Sequence, residues 1–120
     1  MQKQVLTLKG IFEKLSNHNL YIMESNHDVE MLMNGRYPFH LKKRILSDKG
    51  HLSNNDCAYY LSEFIGDKTN TIILAHLSDD NNTYELALST VKKVLESKNK
   101  KVKNILIAKQ KQRTEMIEVW

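Results

Sequence analysis

Thr71-Ile-Ile-Leu-Ala-His-Leu-Ser-Asp-Asp-Asn-Asn82 is the stretch from which the fold can be read. Thr71 to Ala75 is the longest apolar run in the chain and reads as a buried strand, which breaks abruptly into a polar loop at His76. Asn82, with Glu85 three residues on, has the spacing of a helix-capping box, and Ala87, Val91, Val94 and Leu95 then recur on one helical face. Beyond that helix Asn104 to Ala108 reads as a further strand. Glu115 to Val119 reads as a last one, joined to it through the polar residues 109–114 as a hairpin.

Towards the N-terminus the same alternation continues. Ser53 and Asp56 resemble a second capping box, ahead of Cys57, Ala58, Leu61 and Ile65 at helical spacing, with Gly66 as the stop. Pro38 suits the first turn of a helix carrying Leu41, Ile45 and Leu46 on one side and Lys42, Lys43 and Arg44 on the other. Asp28 suits the N-cap of a shorter helix with Val29, Leu32 and Met33, ended by Gly35. Leu20 to Glu24 is a strand. Before it, Leu8, Ile11, Phe12 and Leu15 mark an amphipathic helix that starts at Thr7. Strands that alternate with helices imply an α/β fold with a mainly parallel sheet, and the final pair adds an antiparallel edge. Residues 1–120 are expected to form one unit, since 120 residues suffice for one core but not two.

Composition narrows the class further. Hydrophobic content of 41% and charged content of 27% are those of ordinary water-soluble domains. No run approaches the roughly 18 apolar residues of a membrane helix, so no membrane partner is expected. Met1 to Gly10 has no apolar core of a secretion signal, and the single cysteine, Cys57, leaves no internal disulfide; both point to the cytoplasm. The net charge of +4 is concentrated in Lys92, Lys93, Lys98, Lys100, Lys101 and Lys103. That run reads as a solvated helix face, because it lacks the aromatic residues on which single-stranded nucleic acid stacks.

Ligands of open α/β sheets bind beyond the carboxyl ends of the strands. Two polar clusters fall there if the first two strands are parallel: Glu24-Ser-Asn-His-Asp28 and His76 to Asn82. A third, Gly50-His-Leu-Ser-Asn-Asn-Asp56, precedes a helix start, whose free amides favour an anion. Each residue has a plainer reading beside the chemical one. Asp28, Ser53, Asn54 and Asn82 suit helix caps, His51 and His76 suit half-buried histidines, and Met23, Met31 and Met33 suit core packing. Imidazole and carboxylate are ligands for zinc or manganese, yet no dense His/Asp motif appears.

Taken together, Glu24-Ser-Asn-His-Asp-Val-Glu-Met-Leu32, Tyr37-Pro38, Leu41-Lys-Lys-Arg-Ile45, Gly50-His-Leu-Ser-Asn54 and His76-Leu-Ser with Asn81-Asn82 resemble the YycJ/WalJ-type branch of the metallo-β-lactamase superfamily. The resemblance runs from about Leu6 to the end. It implies the C-terminal half of an αββα sandwich, and a metal-dependent hydrolase related to the tRNA 3′-processing endoribonucleases and β-CASP nucleases. Such enzymes cleave phosphodiesters with two metal ions, zinc or manganese, in a cleft at the sheet edges.

Carried over by this resemblance, His76 matches the last metal-ligating histidine. Glu24 matches the glutamate of the nuclease motif, and His51 the histidine with which it pairs, a pair that serves the scissile phosphate or the leaving oxygen. Ser53 and Asn54 are expected to contact phosphate, and His27 and Asp28 to line the cleft without a definite role. The signature His-x-His-x-Asp-His is absent, as is the metal-bridging aspartate, so His76 is the only usual metal ligand present. The chain alone is therefore expected to hold no metal stably and to be inactive. Its partners are then the missing N-terminal half, a second copy of itself across an uncovered apolar sheet face, or nucleic acid. Alternatives are one subunit of a split enzyme, or a non-catalytic relative that binds nucleic acid or protein.

Overall fold

In the computed structural model residues 14–47 and 50–109 are described. Three strands, β1 (Leu20–Glu24), β2 (Thr71–Ala75) and β3 (Asn104–Ile107), form one parallel sheet in the order β1-β2-β3. Between β1 and β2 lie three helices, α1 (Val29–Asn34), α2 (Phe39–Leu46) and α3 (Asn54–Phe64). Between β2 and β3 lies α4 (Tyr84–Ser97). The first two strands keep the limits their apolar runs suggest, and the parallel pairing agrees with the alternation of strands and helices. The N-terminal helix expected from Thr7, apart from Lys14 and Leu15 at its end, and the strand Glu115 to Val119 lie outside the described residues.

Register explains which side chains make the core. Tyr21, Ile72 and Ile105 stand in line across the sheet, as do Met23, Leu74 and Ile107. That face meets Cys57, Ala58, Leu61 and Phe64 of α3 and Ala87, Val91 and Leu95 of α4. Burying Val91 and Leu95 alone stabilises by about 1.5–3 kcal/mol each. Burial also pushes the Cys57 thiol up to about 12, so Cys57 serves as a small apolar filler. On the other face Ile22, Ile73 and Leu106 line up, and the outer two are 39% and 44% exposed.

Three helix ends differ from their sequence reading, the first being α2, where Pro38 is the N-cap and not part of the first turn. α3 stops at Phe64 with Ile65 as its C-cap, one residue before Gly66. Gly66 is needed for another reason: a Cβ there would sit 2.4 Å from Asn17 Oδ1, and Asn17 anchors the turn before β1 by donating to Phe64 O at 2.7 Å. The N-cap of α4 is Thr83, whose hydroxyl accepts from Leu86 N at 3.1 Å; Asn82 is drawn into the interior instead. Asp28 and Ser53 do cap α1 and α3, accepting from Met31 N and Asp56 N at 3.0 Å each.

Candidate metal and phosphodiester site

Because β1 and β2 are parallel and Glu24 is in register with Ala75, the last residue of β1 and the first after β2 meet at one sheet edge. His51 reaches the same point from the loop before α3. That loop runs beside residues 26–28 like a short extra strand, through Asn26 N to Leu52 O at 2.9 Å and Asn54 N to His27 O at 2.8 Å. One carboxylate oxygen, Glu24 Oε2, then lies 2.9 Å from His51 Nδ1 and 2.5 Å from His76 Nδ1. Its other oxygen, Oε1, accepts the Leu52 amide at 2.7 Å, which fixes the carboxylate plane. The two imidazoles sit 4.9 Å apart, centre to centre, tilted by 60°.

These distances decide how the trio works. Two donors bound to one tetrahedral zinc stand roughly 3.3 Å apart, given metal–ligand bonds of about 2.0–2.1 Å. Separations of 2.5 and 2.9 Å are hydrogen bonds instead. Both rings therefore donate Nδ1–H to Glu24, and Nε2 is the ring nitrogen each keeps for another partner. A carboxylate behind a histidine is the usual orienting partner of a metal-binding imidazole. Burial alone would raise the Glu24 carboxyl pKa, but the hydrogen bonds from His76, Leu52 N–H and His51 outweigh it and hold it below the ordinary value. Glu24 is an anion clamped by donors.

His76 is also backbone-strained. Its φ of 59° lies in the left-handed region, which side chains other than glycine rarely adopt, and its carbonyl accepts from Asn26 Nδ2 at 2.9 Å. Strain of this kind is maintained where the surrounding contacts fix it, and here it turns the imidazole onto Glu24. His76→Gly should accordingly be more stable than His76→Ala by about 1 kcal/mol in urea unfolding. An alanine variant as stable as the glycine one would show that the strain is absent.

Glu24, His51 and His76 are the one group of possible metal donors among the described residues. The other residues singled out in the sequence lie behind them. Ser53 is 6% exposed and caps α3, and Asn54 is 1% exposed with both amide atoms engaged. A phosphate contact by either side chain would require the loop to open. Asp28 caps α1 and donates its own N–H to Asn81 O. His27 is buried, with Nδ1 beside Asn26 Oδ1 at 3.2 Å and Nε2 without a partner; desolvation lowers its pKa, so it stays neutral.

Sequence reasoning missed the frame that positions the trio. Ser25 Oγ donates to Asn54 Oδ1, Asn54 Nδ2 donates to Asn82 Oδ1, and Asn82 Nδ2 reaches Ser25 O, Asn26 O and Asn54 Oδ1. This buried amide knot ties together the three loops that carry Glu24, His51 and His76. The signal was present: Ser25, Asn26, Asn54, Asn81 and Asn82 are more short polar residues than the helix starts beside them can use as caps.

Comparison with known proteins accords with this arrangement. The chain is 52% identical over 91 residues, 76% of its length, to exodeoxyribonuclease YycJ of Bacillus anthracis. It is 49% identical over 84 residues, 70% of its length, to exodeoxyribonuclease WalJ of Streptococcus pneumoniae. Those stretches make up 33% and 30% of the two relatives, so the chain spans about a third of their length. No protein-family model and no solved structure matches. Homologues of the chain, at about 50% identity over 70–76% of its length, are thus YycJ/WalJ exodeoxyribonucleases, which belong to the metallo-β-lactamase fold family.

Proposed function

We propose that this chain is the C-terminal part of a metal-dependent phosphodiesterase acting on DNA ends, and that it needs a further set of metal ligands to turn over. The observation that carries this reading is the grip of one Glu24 oxygen on two imidazoles, which leaves two Nε2 atoms at the edge of the sheet. The names of the relatives, both exodeoxyribonucleases, support the substrate class.

In this reading His76 holds zinc or manganese through Nε2, with Glu24 orienting the ring. A metal held there would supply Lewis acidity to the phosphate and lower the pKa of a bound water. His51, held by the same carboxylate, is placed to pass a proton to the leaving oxygen. Of the three grouped side chains, His76 alone would be a ligand in this role, which does not fill a two-ion centre. The remaining ligands come from the other half of the sandwich, which packs on the sheet face bearing Ile22 and Leu106; a second copy of the chain is the other candidate for that face.

The test is to join the chain behind the first two-thirds of a YycJ relative. Metal content is then measured alongside release of nucleotides from labelled DNA. The completed protein should hold divalent metal and degrade DNA, His76→Ala should lose both, and the chain alone should do neither. A completed protein that binds no metal, or a chain that alone keeps two ions per molecule, would sink the reading.

A further inference from the structure

The proposed hydrolase reading leaves one element unexplained. α2 has no buried residue, and Phe39 at its start is 73% exposed, the most exposed large apolar side chain among the described residues. Eight residues make a marginal helix unless something holds them. Here the holding is done at the ends. Tyr37 OH donates to Asp80 Oδ2 at 3.0 Å, which ties the entry of α2 to the His76 loop. His51 N donates to Ile45 O at 3.3 Å, which ties its exit to the His51 loop. Lys42 Nζ closes α1 on α2 by donating to Met33 O at 2.7 Å. The segment is thus a rigid arm rooted on both sides of the Glu24 edge.

Its chemistry is one-sided. Residues 31–47 contain Arg36, Lys42, Lys43 and Arg44 and no carboxylate. Lys43 lies one turn after Phe39, and Arg44 one turn after His40, so an aromatic ring and two cations share the outer side of the helix. Neither Lys43 nor Arg44 takes part in an ion pair among the described residues. The richer basic run, Lys92 to Lys103, is partly committed elsewhere. Lys98 pairs with Glu63 at 3.8 Å and lies over the Tyr59 ring, and Lys100 Nζ donates to Ser62 O and Ile65 O. Unpaired cations interleaved with an exposed aromatic ring are what a single strand requires: charge along the backbone and a platform for a base.

We propose that α2 is a docking arm for single-stranded DNA, with Phe39 stacking a base and Lys43 and Arg44 holding its phosphates, so that the strand is led to the Glu24 edge. The choice of DNA rests on the hydrolase reading above. The test is fluorescence anisotropy of a short fluorescein-labelled oligothymidylate titrated with the whole chain at several salt concentrations. Phe39→Ala should weaken binding about 5- to 150-fold, the worth of one stacked base, while Phe39→Trp retains it and Phe39→Leu does not. Lys43→Ala with Arg44→Ala should reduce the slope of log affinity against log salt by about 1.4, since a single strand releases roughly 0.7 counterion per phosphate contact.

Failure to bind the oligonucleotide, or binding unaltered by these variants, would overturn the arm. So would a Phe39→Ala variant that dissociates a dimer while leaving DNA affinity intact, because the ring would then serve self-association. Arm-dependent binding without metal or turnover in the completed enzyme would condemn the hydrolase reading alone. Turnover and metal that survive with no arm dependence would condemn the arm alone.

Discussion

Asn82→Ala is expected to lower the unfolding free energy by about 3 kcal/mol, far more than any exposed asparagine. The amide of Asn82 satisfies several buried groups at once, and not all of them have a second partner. Asn54 Oδ1 would still accept from Ser25 Oγ, and Asn26 O from Ser78 N. Asn54 Nδ2 and Ser25 O would be left unpaired in the interior, at about 1–3 kcal/mol each. Against a total stability of about 5–15 kcal/mol, that loss is a large fraction. Urea unfolding followed by circular dichroism measures it, with exposed Asn55→Ala as the control. A shift no larger than the control would mean that the knot does not hold the three loops together.

Asn82 also shows where the sequence stops being legible. Asn82 followed by Glu85 and Thr83 followed by Leu86 both offer a side-chain oxygen to an amide three residues on. Local spacing does not choose between them. The choice is made by Ser25 and Asn54, 57 and 28 residues away along the chain, which Asn82 meets only after β1, α3 and β2 are packed. Strand limits were easier, because Leu20 to Glu24 and Thr71 to Ala75 each change from apolar to polar at a sharp boundary. The candidate site was legible only in pieces. Resemblance pairs Glu24 with His51 and treats His76 separately as a metal ligand. No pattern in the sequence says that both rings lean on the same oxygen, since that follows from the in-register meeting of β1 and β2 and from the left-handed backbone at His76.

That shared oxygen makes the second large effect a test of roles. In the completed enzyme, His51→Ala should cut turnover by roughly 10²- to 10⁴-fold, the usual worth of a positioned proton donor, and leave metal content unchanged. Glu24→Gln should behave differently. A neutral glutamine oxygen in the place of Oε2 would leave its NH₂ against Leu52 N–H, and one in the place of Oε1 would leave its NH₂ against both imidazoles, so in either orientation the charged anchor is lost and donors face donors. Metal affinity should then fall by about 10- to 100-fold together with activity. If His51→Ala strips the metal as His76→Ala does, both imidazoles are ligands and neither is the acid. If Glu24→Gln leaves affinity and rate untouched, the carboxylate is a bystander, and the geometry at the sheet edge must be explained by packing alone.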